Sequence, residues 1–433
     1  MDLQEKILKK QAKIGIIGLG YVGLPLSVEF AKSGYDVLGF EIDEKKVDLI
    51  NNGKSYITDI SSDEIQKLVK SKKLKATLQK SFFKEMDVIV ICVPTPLTKT
   101  KEPDISYIVN SVQNIFQYLR KDQLIILEST TYPGTTEEIV LPMLEKSGLK
   151  VGKDFYLAFS PERVDPANKK YTIKNTPKIV GGFTLKCKKL VKLFYQQAID
   201  TVIEVSSTKV AEMIKLWENT FRSVNIGLAN EMCLLCDTLK IDVWEVIKGA
   251  SSKPYGFMAF YPGPGLGGHC IPVDPFYLSW KARTYNFDAA FIELAGKINN
   301  KMPAYVVSKI GDILNENEKC IKNSNILILG VSYKKDVGDT RESSAFEIIE
   351  SLIKKGAKIY YNDPYVDNFE SNLFSLKNSK LDTKLFKIID CVVILVDHSN
   401  YDYKWIAKNA TKIFDTRNAL SEIKTNREKI ITI

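Results

Sequence analysis

Residues 13–23, KIGIIGLGYVG, decide the fold of this chain. A short apolar run leads directly into glycines 18, 20 and 23, which are spaced as G-x-G-x-x-G. In this pattern Gly18 permits a tight turn, Gly20 lets the backbone approach a phosphate, and Gly23 lets a helix pack closely on a strand. The N-terminus of that helix presents unpaired N–H groups to an anion. The motif therefore predicts a strand, a phosphate-binding turn and a helix, in that order.

An acid after the second predicted strand indicates that the ligand of this turn is a dinucleotide. Glu41 lies 18 residues after the last glycine, where a carboxylate binds the ribose diol. A carboxylate in that place repels the extra phosphate of NADP, so NAD is the expected cofactor. Lys45 and Lys46 follow closely, and their positive charges leave NADP as an alternative cofactor. Asp43 is an alternative to Glu41, although strand alternation favours Glu41.

Short apolar runs alternate with amphipathic stretches in the first ~205 residues and again after residue 325, a pattern typical of parallel sheets wrapped by helices. The predicted strands are 14–17, 37–40, 88–93, 124–128 and 156–159 in the first part, and 325–329, 358–361, 391–396 and 412–415 in the second. The expected fold is therefore α/β, with two Rossmann-like, doubly wound parallel-sheet domains.

The middle of the chain has a helical pattern. The apolar residues that recur every three or four positions are Val210, Ile214, Trp217, Phe221, Val224 and Leu228. They predict one long helix, with further helix to about residue 250 and from about 289 to 315. Residues 251–280 hold five glycines and five prolines, too many for a regular helix or strand, and are expected to form a ligand-binding loop. The expected domains are 1–205, 206–318 and 319–433.

The composition is that of a soluble globular protein, and 433 residues suggest about three domains. The excess of 61 basic over 52 acidic residues, a net charge of +9, suits an anionic partner: nucleic acid, an acidic membrane or a phosphorylated small molecule. A lysine-rich solvated surface is the simpler explanation of this charge. No apolar run approaches the ~18 residues that cross a bilayer, and the N-terminus has no apolar signal core, so secretion and membrane insertion are not expected.

Seven scattered cysteines indicate a reducing, cytoplasmic compartment in which a single thiol can have a chemical role. Two histidines exclude a histidine-rich metal site. Cys233 and Cys236 have the spacing of half a zinc site, but a second pair is missing and both lie in an apolar helical stretch. We therefore expect buried thiols there, and no metal.

The candidate thiol lies in residues 263–274, GPGLGGHCIPVD. Glycines beside Cys270 allow a substrate to come close and supply N–H groups for a developing oxyanion. Such a thiolate can add to an aldehyde; hydride loss then gives a thioester, which water hydrolyses to an acid. Asp274 can orient a water or a cationic partner. Adjacent side chains on an extended segment diverge, so His269 is read as substrate-facing or structural.

Other candidates follow from position in the chain. Lys215 and Asn219 share a face of the long helix that differs from its apolar stripe, which suits a cleft. Glu162 follows a predicted strand at the ligand edge and is a candidate general base. Thr95 and the hydroxyls of residues 129–131 also follow strands, where they either touch a ligand or serve as ordinary turn and cap residues.

Together these residues resemble the UDP-sugar 6-dehydrogenase family, which includes UDP-glucose and UDP-N-acetylhexosamine dehydrogenases. The resembling motifs are GLGYVG at 18–23, VPTP at 93–96, EST at 128–130, FSPER at 159–163, EMIKLWENTFRSVNIGLANE at 212–231, GGHCIPVD at 267–274 and YKKDVGDTRES at 333–343. They cover nearly the whole chain in the expected order. The resemblance implies an NAD-binding first domain, a homodimer through the central helices, a UDP-sugar-binding last domain, and a role in polysaccharide precursor synthesis.

The resemblance also assigns roles. Cys270 matches the nucleophile, Lys215 and Asp274 the residues that hold water and stabilise the oxyanion, and Asn219 a substrate-positioning residue. Thr130 matches a water-holding hydroxyl and Glu162 the acid–base group of thioester hydrolysis. The expected cofactor contacts are Gly18, Gly20, Tyr21, Val22, Gly23, Glu41, Lys46, Thr95, Thr130 and Arg341. The expected substrate contacts are Glu162, Arg163, Lys215, Asn219, Lys253, Gly267 and Lys334.

Two features depart from the family pattern. Glu41 stands where aspartate is usual. The chain has no arginine between Arg222 and Arg283, where the glucose-specific branch supplies one from the partner subunit, and Lys253 is the nearest replacement.

The sequence of residues 253–280 is most similar to the corresponding segment of enzymes that act on UDP-N-acetylglucosamine. The resemblance thus implies its four-electron oxidation at C6 to the uronate. The same reaction on UDP-N-acetylmannosamine, UDP-glucose or UDP-N-acetylgalactosamine stays open. A two-electron hydroxyacid dehydrogenase and a non-catalytic nucleotide-binding protein are the alternative classes. Binding to nucleic acid or membrane is not expected.

Overall fold

The computed structural model describes residues 1–57, 60–98, 100–165, 168, 170–268 and 270–433. This part of the chain divides into two compact units, the first of residues 1–218 and 276–287 and the second of residues 219–275 and 288–433. The expected α/β class, with two Rossmann-like parallel-sheet regions and a long central helix, is confirmed. The expected three-domain division at residues 205 and 318 stays a prediction.

The first unit is built on an eight-stranded sheet with the order β3-β2-β1-β4-β5-β6-β7-β8. Its strands are β1 (Lys13–Ile17), β2 (Asp36–Phe40), β3 (Leu74–Thr77), β4 (Val88–Ile91), β5 (Leu124–Leu127), β6 (Tyr156–Phe159), β7 (Lys178–Gly182) and β8 (Val202–Glu204). The five strands predicted in this region are confirmed, whereas β3, β7 and β8 were not predicted. The sheet is also not wholly parallel, because β7 runs antiparallel to β6.

The central strands of this sheet end level with one another. Ile17 of β1 pairs with Ile91 of β4, Ile91 with Leu127 of β5, and Leu127 with Phe159 of β6. All four strands are parallel, so the segments that follow them emerge at one edge. The strand order reverses between β1 and β4, which is where open α/β sheets bind ligands.

Helices cover both faces of the sheet. They are α1 (Leu3–Leu8), α2 (Gly23–Lys32), α3 (Glu44–Asn51), α4 (Ser62–Lys70), α5 (Ser106–Phe116), α6 (Leu141–Glu145) and α7 (Leu185–Tyr195), with a 3₁₀ turn at Lys80–Glu85 and a π turn at Thr136–Val140. Val88 and Val90 of β4 lie in one apolar cluster, and Ile89 and Ile91 in another. This alternation is required of a strand buried on both faces, and it explains why β4 is apolar throughout.

The predicted long helix is confirmed as α8 (Thr208–Leu239), which contributes residues to both units. Its apolar stripe is largely exposed, since Trp217 is 64% and Leu228 is 54% accessible to solvent. Lys215 and Asn219 are buried, at 8% and 6%. The polar pair and the apolar stripe thus occupy different faces as predicted, but burial is the reverse of that in an ordinary amphipathic surface helix.

The second unit contains a five-stranded parallel sheet with the order β10-β9-β13-β14-β15 and a separate antiparallel pair. Its strands are β9 (Asn325–Leu329), β10 (Lys358–Asn362), β11 (Asn368–Glu370), β12 (Ser375–Lys377), β13 (Cys391–Ile394), β14 (Ile413–Asp415) and β15 (Ile430–Thr432). The remaining helices of the described residues are α9 (Val243–Ala250), α10 (Asp274–Arg283), α11 (Ala290–Asn315), α12 (Ser344–Lys354), α13 (Thr383–Phe386) and α14 (Tyr403–Asn409), with a 3₁₀ turn at Arg427–Lys429. The four strands predicted here are confirmed, and β11, β12 and β15 were not predicted.

The prediction that residues 251–280 hold no regular structure is wrong at the C-terminal end, where α10 begins at Asp274. Pro275 lies in the first turn of this helix. A proline is tolerated there because the N–H that it lacks has no partner within the helix. Its presence therefore marks a helix start and not a loop.

A buried carboxylate on α8 fixes the segment that follows β5. Glu212 accepts hydrogen bonds from the N–H of Gly134 at 2.6 Å, the N–H of Thr136 at 2.9 Å and the hydroxyl of Thr136 at 2.7 Å. Both carboxylate oxygens are used. The helix that carries Lys215 is thereby joined to the segment that carries Thr130.

We expect Glu212→Gln to destabilise the first unit by about 1–3 kcal/mol, because the new amide NH₂ faces a backbone donor and leaves it unpaired. The midpoint of thermal unfolding of the full chain should fall by several degrees. Glu29→Gln, at a half-exposed position on α2, is the matched control and should leave the midpoint unchanged. Equal midpoints for the two variants would contradict the anchoring role of Glu212.

Candidate active site

The glycine turn after β1 has the steric properties that a dinucleotide site needs. Gly18 has a φ of +86°, and a Cβ there would lie 2.6 Å from the carbonyl oxygen of Cys92. A Cβ on Gly23 would lie 1.9 Å from the carbonyl oxygen of Gly18. A Cβ on Gly20 would have no atom of the described chain within 4 Å. Gly18 and Gly23 therefore serve the packing of the turn, while open space above Gly20 is available to a ligand.

Glu41 is held against this turn. Its carboxylate accepts hydrogen bonds from the N–H of Leu19 at 3.0 Å and the N–H of Ile42 at 2.8 Å. Asp43, the alternative acid, is the N-cap of α3 and accepts from the N–H of Lys45 at 2.9 Å. A cap of this kind is a structural role. The geometry favours Glu41 as the acid that faces the dinucleotide.

Other first-unit residues that are expected to contact the cofactor lie in the segments that follow β1, β2 and β4. Tyr21 is exposed and Val22 half-buried in the glycine turn. The ammonium of Lys46 lies 5.7 Å from the ring centre of Tyr56. Thr95 is half-buried, and its carbonyl oxygen accepts a hydrogen bond from the side chain of Tyr277 at 2.8 Å.

The three hydroxyls after β5 have different surroundings. Ser129 is buried, and its Oγ accepts a hydrogen bond from the N–H of Val93 at 2.9 Å, which ties the ends of β4 and β5 together. Thr131 is buried, and its hydroxyl oxygen lies 2.6 Å from the hydroxyl oxygen of Thr135. Thr130 is the half-exposed member of the three. Ser129 and Thr131 therefore have structural roles, and Thr130 is accessible to a ligand.

Glu162 belongs to a buried ion cluster that sequence reasoning missed. One of its oxygens accepts hydrogen bonds from two backbone N–H groups, at 2.8 and 2.7 Å, and the other accepts from Lys178 at 2.9 Å. Lys178 also forms an ion pair with Glu128, whose second oxygen accepts from the hydroxyl of Tyr195 at 2.6 Å. Glu128 lies in the EST motif, but no sequence pattern links it to a lysine 50 positions later.

The members of this cluster differ in how firmly they hold a proton. Burial raises the pKa of Glu128. Burial alone would also raise the pKa of Glu162, but the Lys178 ammonium, a hydrogen bond from Glu128 and the N–H of Val164 together lower it. Glu162 is thus held as a carboxylate, and Glu128 is the acid that more readily takes a proton.

Arg163, a predicted substrate contact, is engaged within the first unit. Its guanidinium binds Glu218 through two nitrogens, at 2.6 and 3.3 Å, and donates to the carbonyl oxygen of Pro177 at 2.8 Å. This forked pairing fixes the strand end that carries Glu162 to α8.

In the second unit, three predicted residues come together. Cys270 is exposed, and its carbonyl oxygen accepts hydrogen bonds from the N–H groups of Val273 at 3.1 Å and Asp274 at 2.8 Å. This turn leads directly into α10. The carboxylate of Asp274 accepts from the side-chain amide of Asn219 at 2.5 Å, and both side chains are buried. His269 lies outside the described residues.

The glycines before the thiol pack against the segment that follows β9. A Cβ on Gly267 would lie 2.8 Å from the Cβ of Tyr333 and 3.0 Å from the carbonyl oxygen of Glu342. Gly268 has a φ of +84°, and its N–H donates to the carbonyl oxygen of Arg341 at 3.3 Å. The segment that carries Cys270 is thus in direct contact with the YKKDVGDTRES segment.

Asn230 on α8 is a further positioning residue that the sequence did not reveal. Its side-chain oxygen accepts from the N–H of Gly263 at 3.0 Å, and its amide donates to Asn299 at 2.8 Å. Asn230 is fully buried. It therefore joins the start of the glycine-rich loop to two long helices.

The predicted basic contacts of the second unit have varied surroundings. Lys334 is half-buried, while Arg341 is exposed and binds Asp339 in a forked pair, at 2.9 and 2.6 Å. Lys253 is exposed, with its ammonium 5.0 Å from the ring centre of Tyr255.

Within the described ranges, no group of three or more His, Cys, Asp or Glu side chains is placed to hold a metal ion. None of the helices in that same part of the chain is both long and apolar enough to span a membrane.

Comparison with protein families matches three models to the chain. They are the NAD binding domain, the central domain and the UDP binding domain of the UDP-glucose/GDP-mannose dehydrogenase family, at residues 12–199, 209–301 and 327–422. Among curated relatives, UDP-N-acetyl-D-glucosamine 6-dehydrogenase of Pseudomonas aeruginosa is 32% identical over 96% of this chain and 97% of its own length. UDP-N-acetyl-D-mannosamine dehydrogenase of Methanococcus aeolicus is 37% identical over 93% of this chain and 88% of its own.

Solved structures agree with these matches. UDP-D-ManNAc dehydrogenase from Pyrococcus horikoshii superposes with a TM-score of 0.87 at 33% identity and covers 97% of this chain and 98% of its own. The three family models, taken together, match most of the sequence. The chain therefore belongs to the UDP-glucose/GDP-mannose dehydrogenase family and is an NAD-dependent UDP-sugar dehydrogenase.

Proposed function

We propose that this enzyme oxidises UDP-N-acetyl-D-glucosamine at C6, in two NAD-dependent steps, to UDP-N-acetyl-D-glucosaminuronate through a thioester on Cys270. The observation that carries this proposal is the exposed Cys270 in a turn braced by Asp274 and Asn219, with its glycines packed against the segment of Lys334. A thiol is unnecessary for a two-electron oxidation. Its presence in such a turn favours an enzyme that carries the alcohol to an acid.

When bound, NAD accepts a hydride in each of the two oxidations. After the first, the thiol of Cys270 adds to the aldehyde carbon, a C–S bond forms and the thiol proton passes to the oxygen. Loss of the second hydride, together with the proton of that hydroxyl, leaves a thioester. Water then breaks the C–S bond and releases the acid and the thiol.

The proposed roles of the other side chains follow from their charge and burial. The ammonium of Lys215, together with Asp274, holds water and stabilises the oxyanion of alcohol oxidation. Asn219 positions the substrate, and the half-exposed Thr130 holds a water. Glu162, kept as a carboxylate, accepts the proton of the water that attacks the thioester.

The residues of the first unit fit NAD. The open space at Gly20, the start of α2 at Gly23 and the carboxylate of Glu41 beside the turn suit a pyrophosphate and a ribose diol. On this basis residues 1–205 are proposed to bind NAD, residues 206–318 to form the dimer and carry the catalytic loop, and residues 319–433 to bind the UDP-sugar. Arg341 is proposed to reach the cofactor, and Gly267, Arg163 and Lys253 the substrate.

The identity of the sugar, an N-acetylated amino sugar, is the most specific part of the proposed function. Similarity of residues 253–280 to enzymes acting on UDP-N-acetylglucosamine supports it, and so does the relative from P. aeruginosa. UDP-N-acetyl-D-mannosamine is the second candidate, because several relatives of comparable identity carry that name. Either product serves as a precursor of a polysaccharide that contains acidic amino sugars.

A second copy of this chain is proposed to cover the apolar face of the central helices. Trp217, Phe221 and Leu228 on α8 are 64%, 46% and 54% exposed, and Phe291 on α11 is 80% exposed. Several large apolar side chains exposed along neighbouring turns of one helix are unusual for a monomer and typical of a homodimer interface.

A panel of UDP-sugars tests the reaction. We expect UDP-N-acetyl-D-glucosamine to give two NADH per sugar, measured by absorbance, together with an acidic product. Cys270→Ser should abolish acid formation, because an ester leaving group is far poorer than a thiolate. Cys320→Ser, at the other exposed thiol, is the matched control. One NADH per sugar, or acid formation by Cys270→Ser, would contradict the thioester route.

Two glycine substitutions separate cofactor binding from folding. Gly20→Ala should fold with an unchanged thermal midpoint but bind NAD at least ~10-fold more weakly, since a methyl group enters the space kept for the pyrophosphate. Gly23→Ala should lower the thermal midpoint even without NAD, because its Cβ would collide with the Gly18 carbonyl. Unaltered NAD affinity of Gly20→Ala, measured by calorimetry, would argue against the site.

Polar substitution of the apolar face tests the dimer. We expect Trp217→Ser combined with Leu228→Ser to shift the mass in solution, measured by light scattering, from dimer to monomer. Leu185→Ser, an exposed leucine (73%) on α7, is the control. A wild-type monomer at micromolar concentration would refute the proposed interface.

A further inference from the structure

The cluster of Glu128, Glu162 and Lys178 holds more charge than an interior usually contains. The side chains of these residues are 0%, 11% and 5% exposed. Two carboxylates and one ammonium leave a net negative charge if all three groups are ionised. An uncompensated charge in such a place is costly, and the usual remedy is that a group takes up a proton.

Among the described residues, the other titratable groups beside the cluster, Tyr195 and Cys92, do not supply the missing positive charge. The hydroxyl of Tyr195, on α7, donates to Glu128, and the thiol of Cys92 lies beside both carboxylates at the end of β4. Burial raises the pKa of each of these two groups. Both therefore stay neutral and protonated, and the carboxylates themselves are the place where a proton can be added.

We propose that Glu128 and Glu162 act as one proton acceptor, in which a single proton is shared between two carboxylates bridged by Lys178. This inference rests on the proposed function, in which Glu162 is the base of thioester hydrolysis. A water attacks the thioester carbonyl and gives its proton to the carboxylate pair. The C–S bond then breaks, the acid leaves, and the pair returns the proton to the sulfur of Cys270.

Glu162 alone is poorly suited to this task. Lys178 and two backbone N–H groups already bind its carboxylate, and each of these contacts weakens it as a base. The neighbouring Glu128 changes this, because two like charges that share one site hold a proton more tightly than either does alone. The pair is thus a stronger base than Glu162 would be beside Lys178 without Glu128. Lys178 is a positioning residue that sets the basicity of the pair.

Substitutions of Glu128 and Lys178, the two charged partners of Glu162, should shift the pH profile in opposite directions. Removing the second carboxylate by Glu128→Gln leaves Glu162 beside an unopposed ammonium. The lower limb of the pH profile for thioester hydrolysis should move down by about one pH unit or more, and the plateau should fall at least ~10-fold. Removing the ammonium by Lys178→Met should move the same limb up. Lys178→Arg keeps the charge and should return it toward its original position.

The measurement follows the acyl-enzyme on Cys270. Enzyme, NAD and the UDP-sugar that is active in the panel are mixed, quenched at intervals between pH 5.5 and 9, and the thioester is followed by intact mass. The control is Lys192→Met. Lys192 lies on α7, as Tyr195 does, but pairs with Glu204 at the surface, so this substitution should leave the pH profile unchanged. Limbs that stay in place, or move in the same direction for both variants, would overturn the shared-proton pair.

Failure of the proposed function gives a different result. If Glu162 is not the base, Glu162→Gln hydrolyses the thioester at the normal rate, and the pair has no role to play. If Glu162→Gln accumulates the thioester while Glu128→Gln keeps the original limb, Glu162 acts alone and the inference is wrong. Should Lys178→Met fail to fold, the downward shift of Glu128→Gln is still required.

Discussion

The level ends of four parallel strands are the constraint on which the first unit depends. Backbone pairing brings Ile17, Ile91, Leu127 and Phe159 into one row, so the chain leaves β1, β4, β5 and β6 side by side. A slip of one residue in any of these strands would turn its side chains to the opposite face. The glycine turn, the hydroxyl of Thr130 and the Glu162 carboxylate are neighbours because this register holds, although they are far apart in sequence.

Much of the fold could be predicted because central parallel strands are buried on both faces and are therefore continuously apolar. β4 and β5, VIVI and LIIL, are clear for this reason. β7 was missed because its first residue is Lys178, whose charge breaks the apolar pattern, and because two of its five residues are glycines. That lysine is tolerated in a buried strand only because two carboxylates from neighbouring strand ends surround it, and no local pattern carries this information.

Prediction of the candidate site had the same limit. Residues such as Cys270, Lys215 and Glu162 could be selected because motifs mark them, and Asn219 and Asp274 do lie in contact. Lys178 lies outside the motifs, and Glu212 and Asn230 lie within the motif of α8 but have no predicted role. Each of the three acts through contacts with residues tens of positions away. Polar positioning residues are thus identified by three-dimensional contact, whereas the candidate reactive residues could be proposed from their motifs and side-chain chemistry.

Solvent access alone does not distinguish the proposed nucleophile from the other thiols. Cys270 and Cys320 are both exposed, while Cys92, Cys187, Cys233 and Cys391 are buried. Cys320 lies in the connection between α11 and β9, and its thiol donates weakly to the carbonyl oxygen of Lys322 at 3.5 Å. Cys270 differs because the glycines that precede it pack against the segment after β9, and because the N–H groups of Val273 and Asp274 bind its carbonyl oxygen. A nucleophile needs both access and a fixed position, so the exposure of Cys270 and the hydrogen bonds that hold its backbone together support its proposed role.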